Sequence, residues 1–274
     1  MSATAITPAE FGYIKGLVRE RSAIVLDEGK EYLVSSRLAP IARQEGVASV
    51  GELVNRLRSR PGSTLHHAVV EAMTTNETSF FRDPAVFDGL RKEILPDLIR
   101  SRAATRHLDI WSAAASTGQE AYSLVMMMKE HFPELAGWRT SIVATDLNEQ
   151  VLAKARAGRY TQFEVNRGLP APLMSRWFSR AGAEWQLDRE ILNAVQLRPL
   201  NLIGTARYPQ ADLILLRNVL IYFDTETKRQ ILSRVREALR PGGYLLLGAS
   251  ESPLLLQSGF ERADIGRGGC FRAV

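Results

Sequence analysis

The sequence predicts an α/β protein in which a small N-terminal helical bundle precedes a doubly wound, mostly parallel sheet. Roughly the first 90 residues show only the 3.6-residue apolar periodicity of helices. From Leu108 onward, short apolar segments alternate with amphipathic helices, which is the pattern of right-handed crossovers in a parallel sheet. Residues 173–195 interrupt this alternation, and we expect a small antiparallel hairpin insertion there.

The N-terminal part contains several helix signals and no catalytic pattern. Thr7 and Glu10 can form a capping box, with Pro8 at the first helical position. A second apolar stripe follows, in which Pro40 is expected to kink or shorten the helix. Further stripes predict two more helices before residue 75, so this region is a small bundle.

Five apolar segments are predicted as strands of the sheet. They are residues 108–111, 141–144, 195–202, 211–216 and 244–248. Helices are predicted over 120–130, over 148–157 with Gly158 as the stop, and around Ile231 to Leu239 before Pro241. We therefore divide the chain into a helical domain (1–75), a connecting segment (76–90) and a sheet domain (91–274).

Composition narrows the function classes. The 274-residue chain carries 35 Lys and Arg against 30 Asp and Glu, a formal net charge of +5. Such a protein can meet nucleic acid, an anionic membrane or an acidic protein, and net charge alone selects none of them. The single cysteine, Cys270, excludes an intramolecular disulfide and a cysteine-based zinc site. No signal-peptide pattern and no apolar run of membrane-spanning length is present, so we expect a cytoplasmic protein.

The residues at the carboxyl ends of the predicted strands indicate a ligand site. Small residues fill the turn after the first strand, from Ala113 to Gly118, which lets a ligand approach the backbone. Asp146 ends the second strand, where a carboxylate can accept hydrogen bonds from a ribose diol. Neither a GxGxxG motif nor a Walker lysine is present, which favours a nucleoside ligand without phosphates, such as S-adenosylmethionine. The alternatives are a tight strand-to-helix turn and an N-cap role for Asp146, although Asn148 is an equally good cap.

Two further segments are unusual for pure packing. The fourth strand ends in Arg217 and Asn218, and the alternative is an arginine that snorkels to the surface. The polar, then aromatic, then basic run from 74 to 83 joins the helical part to the sheet part. Its alternative is a linker with a hydrophobic staple.

Five segments occur in the order found in one known family. They are TNETSFFRD (75–83), STGQEAYS (116–123), ATD (144–146), RNVLIYF (217–223) and PGGY (241–244). Together they resemble the CheR family of chemotaxis receptor methyltransferases over nearly the whole chain. The resemblance implies a class I S-adenosylmethionine-dependent methyltransferase sheet with a small antiparallel insertion.

The resemblance also implies the reaction. The family transfers a methyl group from S-adenosylmethionine to glutamate side chains on the cytoplasmic methylation helices of chemoreceptors. The products are glutamate γ-methyl esters and S-adenosylhomocysteine, and the esters serve chemotaxis adaptation. No metal, nucleic acid or direct membrane insertion is expected. The chemistry agrees, because a glutamate is already ionised at pH 7 and needs no general base.

Carried over position by position, the resemblance implies roles for individual residues. It implies that Asn76, Thr78 and Arg82 cover the methionine end of the cofactor and that Glu120 binds its amino group. It implies that Asp146 binds the ribose and that Asn201 and Leu202 flank the adenine. Arg217 and Asn218 would line the floor of the site. The acceptor carboxylate would be oriented by Arg82, Arg217 and Tyr222. Arg37 and Arg43 would dock the acidic receptor helix; without the resemblance, they would be interpreted as a solvated basic face.

Departures from the family pattern and competing functions complete the prediction. Small residues are kept where Ala114, Ala115 and Ala121 replace common family residues, so cofactor binding should survive. Members that tether to a receptor's C-terminal peptide carry a glycine-bearing loop in the insertion. Here the corresponding segment, Ser179 to Leu192, is short and Gly182 is its only glycine, so we predict no such tether.

Two competing hypotheses for the function are a methyltransferase for RNA or a small molecule and an adaptor that senses the cofactor without turnover.

Overall fold

The computed structural model describes residues 6–252, 259–263, 265 and 269–273, which form two compact units. One unit contains the described N-terminal residues up to Thr75 together with the segment Tyr222–Thr227. The other contains Asn76–Ile221 and the described residues from Lys228 onward. Local apolar periodicity gives no sign that Tyr222–Thr227 groups with the helices, because that grouping depends on contacts distant in sequence.

Four helices form the helical unit: α1 Pro8–Ser22, α2 Glu31–Gln44, α3 Val50–Ser59 and α4 Thr64–Met73. Thr7 and Glu10 form the predicted capping box of α1. We expected Pro40 to kink or shorten this helix; α2 continues through Pro40 to Gln44, so it is not shortened, and a kink stays a prediction. Val34, Leu38 and Ala42 are buried at four-residue spacing on both sides of the proline, and this burial offsets the lost hydrogen bond.

A seven-stranded sheet organises the second unit. Its strands are β1 His107–Ala113, β2 Arg139–Asp146, β6 Val195–Pro199, β7 Ala211–Leu216, β8 Leu239–Leu247, β9 Phe260–Arg262 and β10 Gly269–Ala273. Their order is β6-β2-β1-β7-β8-β10-β9, in which β10 pairs antiparallel with both neighbours and the other pairs are parallel. This arrangement confirms the predicted fold class.

Helices and helical turns precede β1 and lie between the strands of this unit. Along the chain they are α5 Pro84–Gly89, a π-helical turn Leu90–Ile94, α6 Leu95–Arg102, α7 Gln119–His131, a 3-10 turn Pro133–Gly137, α8 Glu149–Ala157, α9 Gln162–Asn166, α10 Ala171–Trp177, α11 Arg189–Asn193, a 3-10 turn Leu220–Tyr222 and α12 Thr225–Ala238. Within the described ranges, no helix combines the length and apolar character needed to cross a membrane.

The insertion is a three-stranded antiparallel sheet with the order β3-β5-β4, formed by β3 Arg159–Thr161, β4 Phe178–Ala181 and β5 Glu184–Leu187. The predicted antiparallel insertion is present, and β3 extends it beyond the predicted range of 173–195. A three-residue strand carries little periodicity of its own. It is held by pairing with β5 and by the buried Tyr160, whose ring lies 5.1 Å from that of Phe80.

The order of the strands indicates where a ligand crevice lies in the sheet. The first five parallel strands along the chain follow the spatial order third, second, first, fourth, fifth. This order reverses direction between β1 and β7, and in open α/β sheets ligands bind outside the carboxyl ends of the strands at that point. The turn after Ala113 and the segment after Leu216 lie at these two ends.

Candidate active site

The turn after β1 has a strained backbone. Ala114 and Ser116 have φ angles of 53° and 52°, and Gly118 has 91°. A left-handed conformation costs about 1–2 kcal/mol for a residue with a Cβ atom. The turn is held by Ala115 N–H, which donates to Thr145 O at 2.9 Å. Strain that is retained by surrounding contacts is typical of ligand sites.

Asp146 ends β2 beside this turn and is buried. Its Oδ2 accepts the N–H of Ser116 at 2.8 Å, and its Oδ1 accepts the N–H of Asn148 at 2.9 Å. Asn148 caps α8 by accepting the N–H groups of Gln150 and Val151, so the N-cap alternative for Asp146 is excluded. A carboxylate can accept several hydrogen bonds at once, so a ribose diol is compatible with these contacts.

Ser116 connects Asp146 to the connecting segment. Its hydroxyl donates to Asn76 O at 2.8 Å while its N–H is bound by Asp146. Asn76 and Thr78 are both half-buried in this segment. Sequence reasoning did not single out Ser116, and the only signal for it was its place in the small-residue turn.

The connecting segment is fixed to the second unit at its aromatic pair. Phe80 is fully buried, and Phe81 N–H donates to the hydroxyl of Ser123 in α7 at 2.9 Å. Gly168, at φ 86°, approaches so closely that a Cβ atom there would lie 2.1 Å from Phe80 O. The segment is therefore a packed part of the sheet unit, which is more than a linker with a hydrophobic staple.

Asn201 and Leu202 lie next to Asp146 because β6 pairs with β2. Leu200 N–H donates to Asp146 O at 2.9 Å, and Asn201 Oδ1 accepts Ile203 N–H at 3.1 Å. Leu202 is buried, and its carbonyl oxygen accepts the Tyr208 hydroxyl. Burial raises the pKa of Tyr208 to about 12, so this hydroxyl stays neutral and can donate.

Arg217 follows β7 directly and is the most enclosed cation of the site. Its side chain is 1% exposed, which excludes the snorkelling alternative. Nη1 donates to Glu120 Oε2 at 2.9 Å, and Nη2 donates to Arg82 O at 3.1 Å and to an Asp83 carboxylate oxygen. Among the described residues, Arg217 Nε is a buried donor without an acceptor. A buried donor of this kind is expensive to leave unpaired, which indicates a missing acceptor such as a ligand group.

The charged side chains of the site, Arg217 and Arg82 against Glu120, Asp83 and Asp146, are two cations and three carboxylates and leave a net negative charge. One guanidinium is shared by the carboxylates of Glu120 and Asp83, and Glu120 Oε1 also accepts the Ser112 hydroxyl at 2.8 Å. Asp146 adds a further carboxylate at the same edge of the sheet. Such a balance favours a ligand with net positive charge.

Arg82 differs from Arg217 in its partners. It is half-buried, and its Nη1 donates to Glu77 O, within its own segment, at 3.1 Å. No carboxylate of the described residues lies within ion-pair distance of it. Its charge is therefore available to a carboxylate that enters the site.

Asn218 and Tyr222, which follow Arg217 along the chain, fall in different units. Asn218 adopts a left-handed backbone with φ 58°, and its N–H donates to Glu251 Oε2 at 2.8 Å. Tyr222 belongs to the helical unit, where its carbonyl oxygen accepts Val25 N–H at 2.9 Å. The second unit thus contains all the predicted cofactor residues, and the role of Tyr222 stays a prediction.

The two predicted docking arginines on α2 have different surroundings. Arg37 donates to Met73 O at 2.8 Å, Thr74 O at 3.0 Å and Thr75 Oγ1 at 3.3 Å. It therefore holds the C-terminal end of α4. Arg43 is exposed, and its side chain has neither a hydrogen bond nor an ion pair with any described residue.

A metal site was not expected. In the part of the chain that the structure describes, no group of three or more His, Cys, Asp or Glu side chains could hold a metal ion. Metal-free chemistry stays a prediction.

Comparison with known proteins identifies similar sequences over both units. Residues 9–74 match the family described as CheR methyltransferase, all-alpha domain, and residues 76–265 match CheR methyltransferase, SAM binding domain. The chain is 42% identical over 270 residues to Chemotaxis protein methyltransferase 1 of Pseudomonas aeruginosa, covering 97% of this chain and 98% of the relative. It is 40% identical over 248 residues to Chemotaxis protein methyltransferase Cher2 of Pseudomonas putida, covering 89% and 90%. A chemotaxis protein methyltransferase of Vibrio parahaemolyticus is 38% identical over 265 residues, covering 95% of each chain.

Proposed function

Because the chain belongs to the CheR methyltransferase family, we propose that it methylates glutamate side chains on the cytoplasmic methylation helices of chemoreceptors, forming γ-methyl esters. The names of the full-length relatives support a role in chemotaxis. The structural observation that carries the proposal is Arg217, buried between Glu120 and Asp83 with its Nε–H unpaired among the described residues. The unpaired Nε–H of Arg217 can donate to a ligand carboxylate, and the carboxylates of Glu120 and Asp83 favour positively charged ligand groups, so these three side chains suit a zwitterionic ligand with an additional positive charge.

The residues fit S-adenosylmethionine at each of its parts. Its ammonium and sulfonium groups are positive, which suits the negative balance around Glu120 and Asp83. Its carboxylate can supply the acceptor that Arg217 Nε lacks. Its ribose suits Asp146, and its adenine suits the adjacent Asn201 and Leu202.

The residues of the site position the reactants. When bound, S-adenosylmethionine supplies an activated methyl group, so no general acid is required. The acceptor glutamate is ionised at pH 7, so no general base is required. Among the described residues gathered here, none is a histidine, cysteine or lysine, in agreement with that demand. The protein then contributes in-line orientation and exclusion of water.

Arg82 is our candidate for orienting the acceptor. It has no carboxylate partner among the described residues, whereas Arg217 is already neutralised by Glu120 and Asp83. A guanidinium can hold a carboxylate through two parallel hydrogen bonds. We propose that Arg82 binds the acceptor carboxylate and that Arg217 orders the floor of the site. Tyr222 is kept, on the family resemblance alone, as a candidate for orienting the acceptor carboxylate.

We propose that residues 1–75 dock the receptor helix. The surroundings of the two arginines favour Arg43 as the direct contact with acidic receptor residues, because Arg37 is occupied by backbone carbonyls of its own unit. We propose no tether to a receptor C-terminal peptide, since the loop between β4 and β5 is short and Gly182 is its only glycine. Binding of such a peptide with a low-micromolar Kd would contradict this part.

The substrate is tested with radiolabelled S-adenosylmethionine and membranes that contain chemoreceptors. We expect label on the receptors that is released as methanol by mild base, the behaviour of a glutamate ester. RNA from the same cells and receptors with glutamate-to-alanine changes at the methylation sites are the controls. Label on RNA would support the RNA methyltransferase alternative. Cofactor binding without transfer to any fraction would support the cofactor-sensing adaptor.

A further inference from the structure

Glu251 is a buried carboxylate that binds four backbone N–H groups. Its Oε2 accepts the N–H of Asn218 at 2.8 Å and of Gly248 at 2.7 Å. Its Oε1 accepts the N–H of Val219 at 2.9 Å and of Leu220 at 2.7 Å. The side chain is in the sheet unit and is 7% exposed as a residue. Three consecutive N–H groups of the segment after Arg217 therefore converge on one charge.

The sheet explains how Glu251 reaches this segment. Strands β7 and β8 are parallel neighbours, with Leu216 opposite Leu247. The next residue on one strand is Arg217, and on the other it is Gly248. A turn closed by Glu251 N–H donating to Gly248 O at 2.9 Å then directs the glutamate back toward the neighbouring strand end. The carboxylate of Glu251 therefore lies beside the backbone of Asn218, which has the left-handed conformation.

We propose that Glu251 is a positioning residue for methyl transfer, which fixes the segment 217–220 and so aims the Arg217 guanidinium. This inference rests on the proposed function. Convergent backbone N–H groups form a cavity for an anion, and here the chain fills it with its own carboxylate. Both oxygens must accept two bonds each, which a carboxylate can do and an amide cannot. Asn218 could then keep its left-handed backbone, and Arg217 its alignment with Glu120 and Asp83.

Gly248 belongs to the same arrangement. A Cβ atom there would lie 2.7 Å from Glu251 Oε2, 2.7 Å from Asn218 Nδ2 and 3.0 Å from Asn218 N. Contacts below 3.0 Å force neighbouring atoms to move. A substitution at Gly248 thus displaces the carboxylate from its donors without changing any charge.

The test compares Glu251→Gln with the wild type and with Glu164→Gln. Glu164 also accepts a backbone N–H, that of Thr161 at 2.9 Å, but it lies in α9, directly after strand β3. Binding of S-adenosylhomocysteine is measured by calorimetry, and kcat and KM are measured with labelled S-adenosylmethionine. All measurements are made at a temperature where circular dichroism shows each variant folded. For Glu251→Gln we expect affinity and kcat each to fall by at least about ten-fold, because small misplacements of a catalytic group are costly.

The control separates positioning from general stability. Glu164→Gln should lower the melting temperature while leaving affinity and kcat within about two-fold of the wild type. A folded Glu251→Gln with wild-type affinity and kcat would overturn the proposal. Recovery of wild-type values on cooling would also overturn it, since the effect would then be stability alone. A wild-type protein that fails to bind S-adenosylhomocysteine would instead contradict the proposed function.

If Glu251→Gln does not fold, Gly248→Ala tests the same proposal. The same loss of affinity and turnover is expected in this uncharged variant, and wild-type kinetics in a folded Gly248→Ala would contradict the proposal. Failure of both variants to fold would also contradict it, because the carboxylate would then be required for folding as such.

Discussion

Asp146 binds two backbone N–H groups and lies where a ribose diol is expected, so its replacement tests the cofactor assignment at one residue. Asp146→Ala should weaken binding of S-adenosylhomocysteine by about 1–3 kcal/mol, the loss of one or two hydrogen bonds to a charged acceptor. Calorimetry measures this change. Asn148→Ala is the matched control, since it removes the neighbouring helix cap of α8. Unchanged affinity in Asp146→Ala would remove this residue from the site.

Arg37 and Arg43 lie on one helix but should respond oppositely to replacement. Arg37→Ala removes three hydrogen bonds from a charged donor and should lower the free energy of unfolding by about 1–3 kcal/mol. Arg43→Ala removes an exposed side chain and should change stability by less than about 0.5 kcal/mol. Its effect should appear as a raised KM for receptor with an unchanged KM for the cofactor.

Urea denaturation and receptor titrations measure the two effects. If Arg43→Ala methylates receptors with the wild-type KM, then Arg43 is not a docking residue. Sequence alone could place both arginines on α2, but it could not distinguish them. The distinction depends on the end of α4 lying beside Arg37, and that contact spans 36 residues.

The site residues show the same limit of sequence reasoning. Asp146 and Arg217 were identifiable because each ends an apolar strand, and strand ends meet at one edge of a parallel sheet. Ser116, Asp83 and Glu251 were not identified as partners. Ser116 and Glu251 bind backbone groups, and Asp83 binds the Arg217 guanidinium. These contacts join parts of the chain that are distant in sequence, and residue type gives no signal for them.

Among the elements, the connecting segment packs at Phe80 against Gly168, which lies in the turn between α9 and α10. Gly168→Ala would place a Cβ atom 2.1 Å from Phe80 O in a backbone with φ 86°. We expect it to destabilise the protein by about 2–4 kcal/mol, because strain and a steric clash add. Gly182→Ala is the control, since it has φ 68° and nothing within 4 Å. The control should cost about 1 kcal/mol for the left-handed backbone alone.

Urea denaturation of the two alanine variants gives the comparison. Equal losses of stability would show that the contact of Gly168 with Phe80 contributes nothing. The sequence predicted an insertion near this place but missed strand β3. A strand of three residues is specified by its partner β5 and by Tyr160 packing on Phe80, and neither is visible in a local pattern. The five parallel strands carried enough apolar residues to be predicted, whereas the antiparallel strands β9 and β10 were not predicted.

For the whole molecule, Cys270 reports on the integrity of the sheet. It lies in β10, paired with β8, and is 1% exposed. Burial is the main cause that raises the pKa of its thiol to about 12. At pH 8 about one thiol in ten thousand is then ionised, and even that fraction is shielded from reagents. We expect no reaction with Ellman's reagent in the native protein and one thiol per chain in guanidinium.

Ligand binding should slow the reaction of Cys270 further under mildly denaturing conditions, because a ligand that binds the folded state stabilises it. Rapid labelling of the native protein at pH 8 would contradict the buried placement of β10. The order of the two parts, a helical bundle followed by an α/β sheet, could be predicted from the periodicity of apolar residues. The grouping of Tyr222–Thr227 with the helices could not, because it depends on contacts between distant parts of the chain.

The central claim is that this chain transfers a methyl group to receptor glutamates with Arg82 orienting the acceptor. The most direct measurement is base-labile label on chemoreceptors for the wild type and for Arg82→Ala, with S-adenosylhomocysteine affinity measured in parallel. We expect label for the wild type, and for Arg82→Ala a kcat at least about a hundred-fold lower with a smaller loss of affinity. Absence of base-labile label on receptors with the wild type, or full turnover by Arg82→Ala, would contradict the account.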